Sequence, residues 1–150
     1  MHSNDIQELL DRAAITDVLY RIARAMDSKN WDLLAAGYTE DARGDYVNAA
    51  ASGRAEIVES TRAFLRPLDA THHAVHNIEV SIDGDTATTH ATMTAQHVRG
   101  GEQFLLGGTY DDTFRRTEQG WQISTAASGA SGAQGTRPFS RCPSPESIGP

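Results

Sequence analysis

Residues 71–127, THHAVHNIEVSIDGDTATTHATMTAQHVRGGEQFLLGGTYDDTFRRTEQGWQISTAA, decide the fold. Stretches of strand-forming residues at 71–82, 85–98, 102–116 and 121–127 are separated by Asp83-Gly84, Gly100-Gly101 and Gln119-Gly120, where glycine supplies the positive φ of a tight hairpin. Strands joined by turns this short run antiparallel to their neighbours. Upstream, Ile6, Leu9, Leu10, Ala13, Ile15, Leu19, Ile22, Ala23 and Met26 recur at three- and four-residue steps and predict one long helix with a buried face. Asn30 before Trp31, Leu33 and Leu34 predicts a second, short, capped helix. Residues 43–48 read as a short strand around Tyr46 and Val47, and Ser52-Gly53 opens a third helix through Ile57, Val58, Phe64 and Leu65 that ends before Pro67. Helices first and an antiparallel meander last make an α+β domain.

Strand alternation sorts the side chains into faces. In the stretch from Thr86 to Val98, Ala87, Ala91, Met93, Ala95 and His97 share one parity, an inward stripe of mostly small residues that leaves space. His90 shares the other parity with threonines and reads as solvated or at a subunit contact. In the next strand Phe104, Leu106, Gly108, Tyr110, Asp112 and Phe114 share a face, making Tyr110 a candidate pocket wall. The first strand is ambiguous: Ile78, Val80 and Ile82 fall on one parity, His73, Val75 and Asn77 on the other. A two-residue hairpin sets His73 and His97 on opposite sides unless one β-bulge intervenes; a three-residue loop brings them together.

The chain of 150 residues is one domain's length, and its net charge of -7 without a basic stripe argues against nucleic acid and anionic membrane surfaces as partners. No apolar run approaches the roughly 20 residues of a membrane span, and the first residues do not pattern as a secretion signal, so a cytoplasmic location is expected. The single cysteine, Cys142, has no partner for a disulfide. From Ser128 onward Ser, Gly, Ala, Pro and Gln dominate, which predicts a domain over 1–127 and, over 128–150, a strand end fraying into a flexible tail or a segment folded over a cavity mouth.

Histidine titrates near neutrality, and a carboxylate that orients an imidazole makes a proton-transfer device. Asp27 at the end of the long helix and the histidines of Thr71-His72-His73-Ala74-Val75-His76 are the candidates. The plainer alternatives are a helix-end aspartate bonded to a local amide and histidines on solvated strand faces. A metal site is not expected, because His72 and His73 as strand neighbours point to opposite faces and no nearby cysteine completes a ligand set.

The segments Met26-Asp27-Ser28-Lys29-Asn30-Trp31-Asp32, Asp45-Tyr46, Thr71-His72-His73, His97 and Gly120-Trp121-Gln122-Ile123 resemble the SnoaL-like branch of the nuclear-transport-factor-like superfamily, with the scytalone dehydratase pattern nearest. The resemblance spans about residues 5–125 and implies a cone-shaped barrel, a curved and mainly antiparallel sheet wrapped around the N-terminal helices. It implies Asp27 and His73 as an acid/base dyad, His97 as a second catalytic histidine, and Tyr46 as a holder of water near a substrate carbonyl. Tyr110, Met93 and Trp31 complete the expected substrate contacts. Met26 departs from the pattern, standing where the dehydratase has a second tyrosine. Ile22 stands where a dehydrochlorinase of the same fold has a lysine, and no arginine follows Trp121 where that enzyme uses one, so a leaving chloride lacks its cations. The function implied is a cofactor-free lyase or isomerase that dehydrates or isomerises a small apolar carbonyl compound of polyketide, aromatic or steroid-like type. A polyketide-type cyclase and a non-catalytic ligand-binding module of the same fold are the alternatives. The resemblance also implies a homo-oligomer, dimer or trimer, through the outer sheet face, where the threonines around His90 suit a polar interface.

Overall fold

A computed structural model of the chain describes residues 3–46 and 49–135. Its elements are α1 (Ser3–Ser28), α2 (Trp31–Ala36), β1 (Tyr38–Tyr46), β2 (Ala49–Ser52), α3 (Arg54–Leu65), β3 (Ala70–Asp83), β4 (Thr86–Arg99), β5 (Glu102–Thr117) and β6 (Gly120–Gly135). The strands form one curved, unclosed sheet in the order β2-β1-β6-β5-β4-β3. Every neighbouring pair is antiparallel except β1 and β6, which run parallel. With α1 packed on β3 and β6, and α3 on β1, the helices fill the concave side and the sheet wraps them as the expected cone. Ile15, Leu34, Ile57, Leu65, Leu68, Phe114 and Ile123 are its fully buried large side chains.

The meander and its turns follow the expected pattern, and the Asn30 side chain caps α2 by accepting from the Leu33 amide at 3.0 Å. Three features differ. β1 starts at Tyr38 rather than residue 43 and pairs with a β2 that propensity did not signal; Val47 lies outside the described residues. β6 runs beyond the strand expected at 121–127, its end continuing to Gly135 and pairing with β5 up to Phe104↔Gly135. Its glycines and alanines have low strand propensity, yet small residues suit the close approach of the two strands: a Cβ on Gly135 of β6 would collide with the Gln103 carbonyl, and one on Gly108 of β5 with the Gly129 carbonyl. Residues 136–150 of the expected tail, Cys142 included, lie outside the described residues.

The third difference is the rotation of α1. Ile6, Leu9 and Leu10, expected on the buried face, are 49%, 58% and 59% exposed. Asp11 turns inward with Ile15, Val18 and Ile22, and its carboxylate accepts both terminal nitrogens of Arg116 at 2.8 Å, Trp121 Nε1 at 3.0 Å and Gln7 Nε2 at 3.2 Å. Arg116 also lies 4.4 Å from the Trp121 ring centroid. A bidentate charge-assisted pair costs too much to leave unmade once buried, so a polar anchor overrides the apolar periodicity of the first turns.

Candidate active site

Asp27 occupies the last turn of α1, where a carboxylate meets the negative end of the helix dipole at a cost of about 0.3–1 kcal/mol. The turn is locked behind it. Lys29 takes the left-handed conformation (φ 54), the Lys29 and Asn30 amides donate to the Met26 and Ala25 carbonyls, and Lys29 Nζ donates to Leu68 O at 2.6 Å. What offsets the dipole is β3. Thr71 Oγ1 donates to Asp27 Oδ1 at 3.0 Å, the His73 amide donates to Oδ2 at 2.9 Å, and His73 Nδ1 lies 2.6 Å from Oδ1. Burial pushes the Asp27 carboxyl up, but the bonds from the His73 ring and amide and from Thr71 together outweigh it and leave the group below the usual carboxylate range. Because one carboxylate grips His73 by backbone and by ring, the imidazole is fixed in orientation. With Nδ1 engaged by Asp27, Nε2 is the ring nitrogen directed away from the carboxylate.

A bulge settles the ambiguity of β3. The β3–β4 hairpin has a two-residue loop, with Asp83 opposite Thr86, and the register slips by one residue between His76↔Thr92 and Glu79↔His90. Asn77, left-handed at φ 52, sits in the slip. Beyond it Thr71 pairs with His97, His73 with Ala95 and Val75 with Met93, so His73 and His97 share the concave face with their ring centroids 5.5 Å apart.

His73 and His97 line a cavity of about 290 Å³ whose walls include Tyr46, Phe64, Met93 and Tyr110. His97 is 2% exposed, flanked by Phe64 edge-on at 5.6 Å and Phe104 at 6.4 Å, and neither ring nitrogen has a hydrogen-bond partner. Burial, aided by the nearby His73, pushes its pKa down to about 4, so it is neutral at physiological pH. A buried polar group left unmatched by the protein is suited to a ligand.

Deeper in the cone lies a recess of about 60 Å³, walled by Leu19, Ile22, Met26, Tyr38 and Asp112 and sharing Tyr46, Thr61 and Tyr110 with the cavity above. Tyr38 donates to the Tyr46 hydroxyl, and burial raises the pKa of all three tyrosines, that of Tyr46 to about 12, so they stay neutral. Asp112 is 6% exposed, and burial pushes its carboxyl up to about 7 despite a bond from the Ala127 amide.

Of the expected site residues, Asp27, His73, His97, Tyr46, Tyr110 and Met93 converge here. Trp31 does not; it packs on the core from α2 and lines neither chamber, because α2 turns away behind the end of α1. Asp112 and Thr71 are the residues sequence reading passed over. An aspartate on the inward parity between Tyr110 and Phe114 was the available signal for the first, and a threonine two residues before His73 for the second. Among the described residues no three His, Cys, Asp or Glu side chains are arranged to hold a metal ion.

Comparison with known proteins bears on this arrangement. A family model described as a SnoaL-like domain matches residues 7–127. The chain belongs to the SnoaL-like family. Among SnoaL-like relatives, it is 31% identical over 123 residues to an uncharacterised protein of Mycobacterium tuberculosis, covering 79% of this chain and 84% of that one. It is 33% identical over 107 residues to the terrestric acid biosynthesis cluster protein E of Penicillium crustosum, covering 67% and 68%. The crystal structure of a Kribbella flavida protein superposes with a TM-score of 0.79 at 29% identity, covering 85% and 95%.

Proposed function

We propose that this SnoaL-like chain is an acid–base lyase or isomerase that acts on a small, largely apolar carbonyl compound, removing the proton next to the carbonyl. The observation that carries this reading is the 2.6 Å contact of Asp27 with His73 Nδ1, which leaves Nε2 as the base in a cavity lined by neutral donors. His73 Nε2 takes the α-proton, and Asp27 steadies the imidazolium that forms. Charge then develops on the carbonyl oxygen, where the otherwise unpartnered His97 donates. In dehydration the enolate collapses, the new double bond forms, and the β-hydroxyl leaves as water with the proton returned by His73. In isomerisation that proton returns to the γ-carbon instead. The walls of the cavity that His73 and His97 line include no Lys or Arg among the described residues to receive a leaving chloride, which disfavours dehydrochlorination.

The Penicillium relative, named for a biosynthesis cluster, favours a biosynthetic substrate and keeps an aldol-type cyclisation as the second reading, since ring closure begins with the same proton removal. The test is α-proton exchange in D2O, followed by NMR on a panel of β-hydroxy ketones and enones. Wild type is expected to exchange and turn over at least one class, and Asp27→Asn and His73→Ala to lose both activities while keeping their melting temperatures. Undiminished exchange in both variants would refute the proposal. A cyclic product from a diketone substrate would select the second reading.

A further inference from the structure

The proton-transfer reading leaves one buried group without a task. Asp112 sits on β5 at the floor of the cone, opposite Thr89 of β4, whose buried hydroxyl has no hydrogen-bond partner. Its recess adjoins the cavity lined by His73 and His97, the two sharing Tyr46, Tyr110 and Thr61 as walls. A glycine places one of these walls: a Cβ on Gly44 would stand 2.6 Å from Cε2 of Tyr46, so the ring lies where a side chain at 44 would be. Burying a carboxyl group is costly unless it is partnered or kept neutral, and a fold gains nothing from it that Asn or Leu would not supply. Such a group in a recess large enough for one ligand oxygen or a few waters, but not for a ring, marks a recognition point.

We propose that Asp112, with the hydroxyls of Tyr46 and Tyr110 beside it, is a second polar subsite that receives a hydroxyl group on the end of the substrate remote from the carbon deprotonated by His73. The proposal rests on the dyad reading and adds to the substrate class: an apolar compound with an enolisable carbonyl at one end and a hydroxyl at the other. The wall chemistry restricts the group. Leu19, Ile22, Met26 and Ile123 offer no positive charge, so a carboxylate or phosphate has no counter-ion there, whereas a neutral hydroxyl can donate to or accept from the carboxyl and the tyrosines. With burial holding the Asp112 carboxyl up at about 7, both protonation states are accessible near neutrality, and a hydroxyl satisfies either. Pinning the far end also fixes the reacting carbon against Nε2, which links this subsite to rate as well as affinity.

The experiment compares binding of 2-naphthol and naphthalene by fluorescence titration to wild type, Asp112→Leu, Asp112→Asn and Asp27→Asn. Wild type is expected to prefer 2-naphthol by about tenfold, the worth of one or two neutral hydrogen bonds. Asp112→Leu should abolish the preference with naphthalene affinity retained, Asp112→Asn should keep most of it, and Asp27→Asn should leave it intact. Retained naphthalene binding certifies that the Leu variant is folded. A wild type that binds neither compound, or shows no preference, or a preference that survives Asp112→Leu, overturns the proposal. So does a preference lost in Asp27→Asn, because the hydroxyl then docks at the dyad. Failure of the dyad reading shows separately, as α-proton exchange that persists in Asp27→Asn.

Discussion

Two Asp–His pairs of identical length sit on opposite sides of the sheet. His73–Asp27 on the concave side and His90–Asp111 on the convex side both bring Nδ1 to 2.6 Å from a carboxylate oxygen. Their surroundings differ: the side chains of the first are 6% and 26% exposed, those of the second 52% and 56%. Outside, Asp111 and the more distant Glu79 raise the pKa of His90, and water competes for every contact in the open groove that the pair shares with Glu79, Ser81, Thr88 and Thr113, so the pair is worth little. Inside, the same geometry borders a cavity with largely apolar walls, an unpartnered neutral His97 and neutral tyrosines. The pairing motif is therefore common to both, and the environment alone separates a candidate catalytic group from a surface contact.

Breaking each pair in turn should make the largest difference. Asp27→Asn or His73→Ala is expected to lower α-proton exchange by about two to four orders of magnitude, whereas Asp111→Asn and His90→Ala leave it within twofold of wild type. Side-by-side NMR exchange rates check this. Burial should sharpen the contrast for stability. Asp11→Ala, which leaves Trp121 Nε1 unpartnered and Arg116 to its Asp85 contact, is expected to cost about 2 kcal/mol in urea denaturation, and Asp111→Ala to be close to neutral.

The two histidine environments also predict opposite responses to acid. His97 has its folded pKa held down to about 4 against 6.5, so the unfolded chain binds the extra proton between those values, and this group's contribution to stability falls as pH drops through that window. His90 has its folded pKa raised above 6.5, so its small contribution is fully present below pH 6.5 and fades as pH rises through the folded value. Melting temperatures from pH 4 to 8 should show His97→Phe flattening the acid side, with His90→Ala producing a slight change on the alkaline side. A further prediction concerns the bulge that joins the two faces' geometry. Asn77→Gly should be tolerated, while Asn77→Val, forced into a left-handed conformation, is expected to lose about 1–2 kcal/mol in the same urea assay.

The local pattern of the chain carried most of the architecture. Alternation over β4 and β5 assigned Met93, His97 and Tyr110 to the inward face, glycine turns delimited the hairpins, and Asn30 announced the start of α2, because period-two faces, positive φ and capping are properties of a few consecutive residues. The resemblance supplied the pairing of Asp27 with His73. Other outcomes depended on partners distant in sequence. Arg116, 105 residues beyond Asp11, turned Ile6, Leu9 and Leu10 outward against their periodicity. The glycine- and alanine-rich run from Ser128 to Gly135 became strand because β5 offered it a ladder, and α2 carried Trp31 off the cavity.

What the sequence by itself determined was the three helices, the four strands of the meander and the faces of β4 and β5, since those follow from local backbone geometry. Only the tertiary structure decided that His73 and His97 look into the same space, because one extra residue at Asn77 inverts every side chain beyond it, and that slip is defined by the strand alongside. It also decided that Asp112 is buried among tyrosines, because burial is set by what packs across the cone.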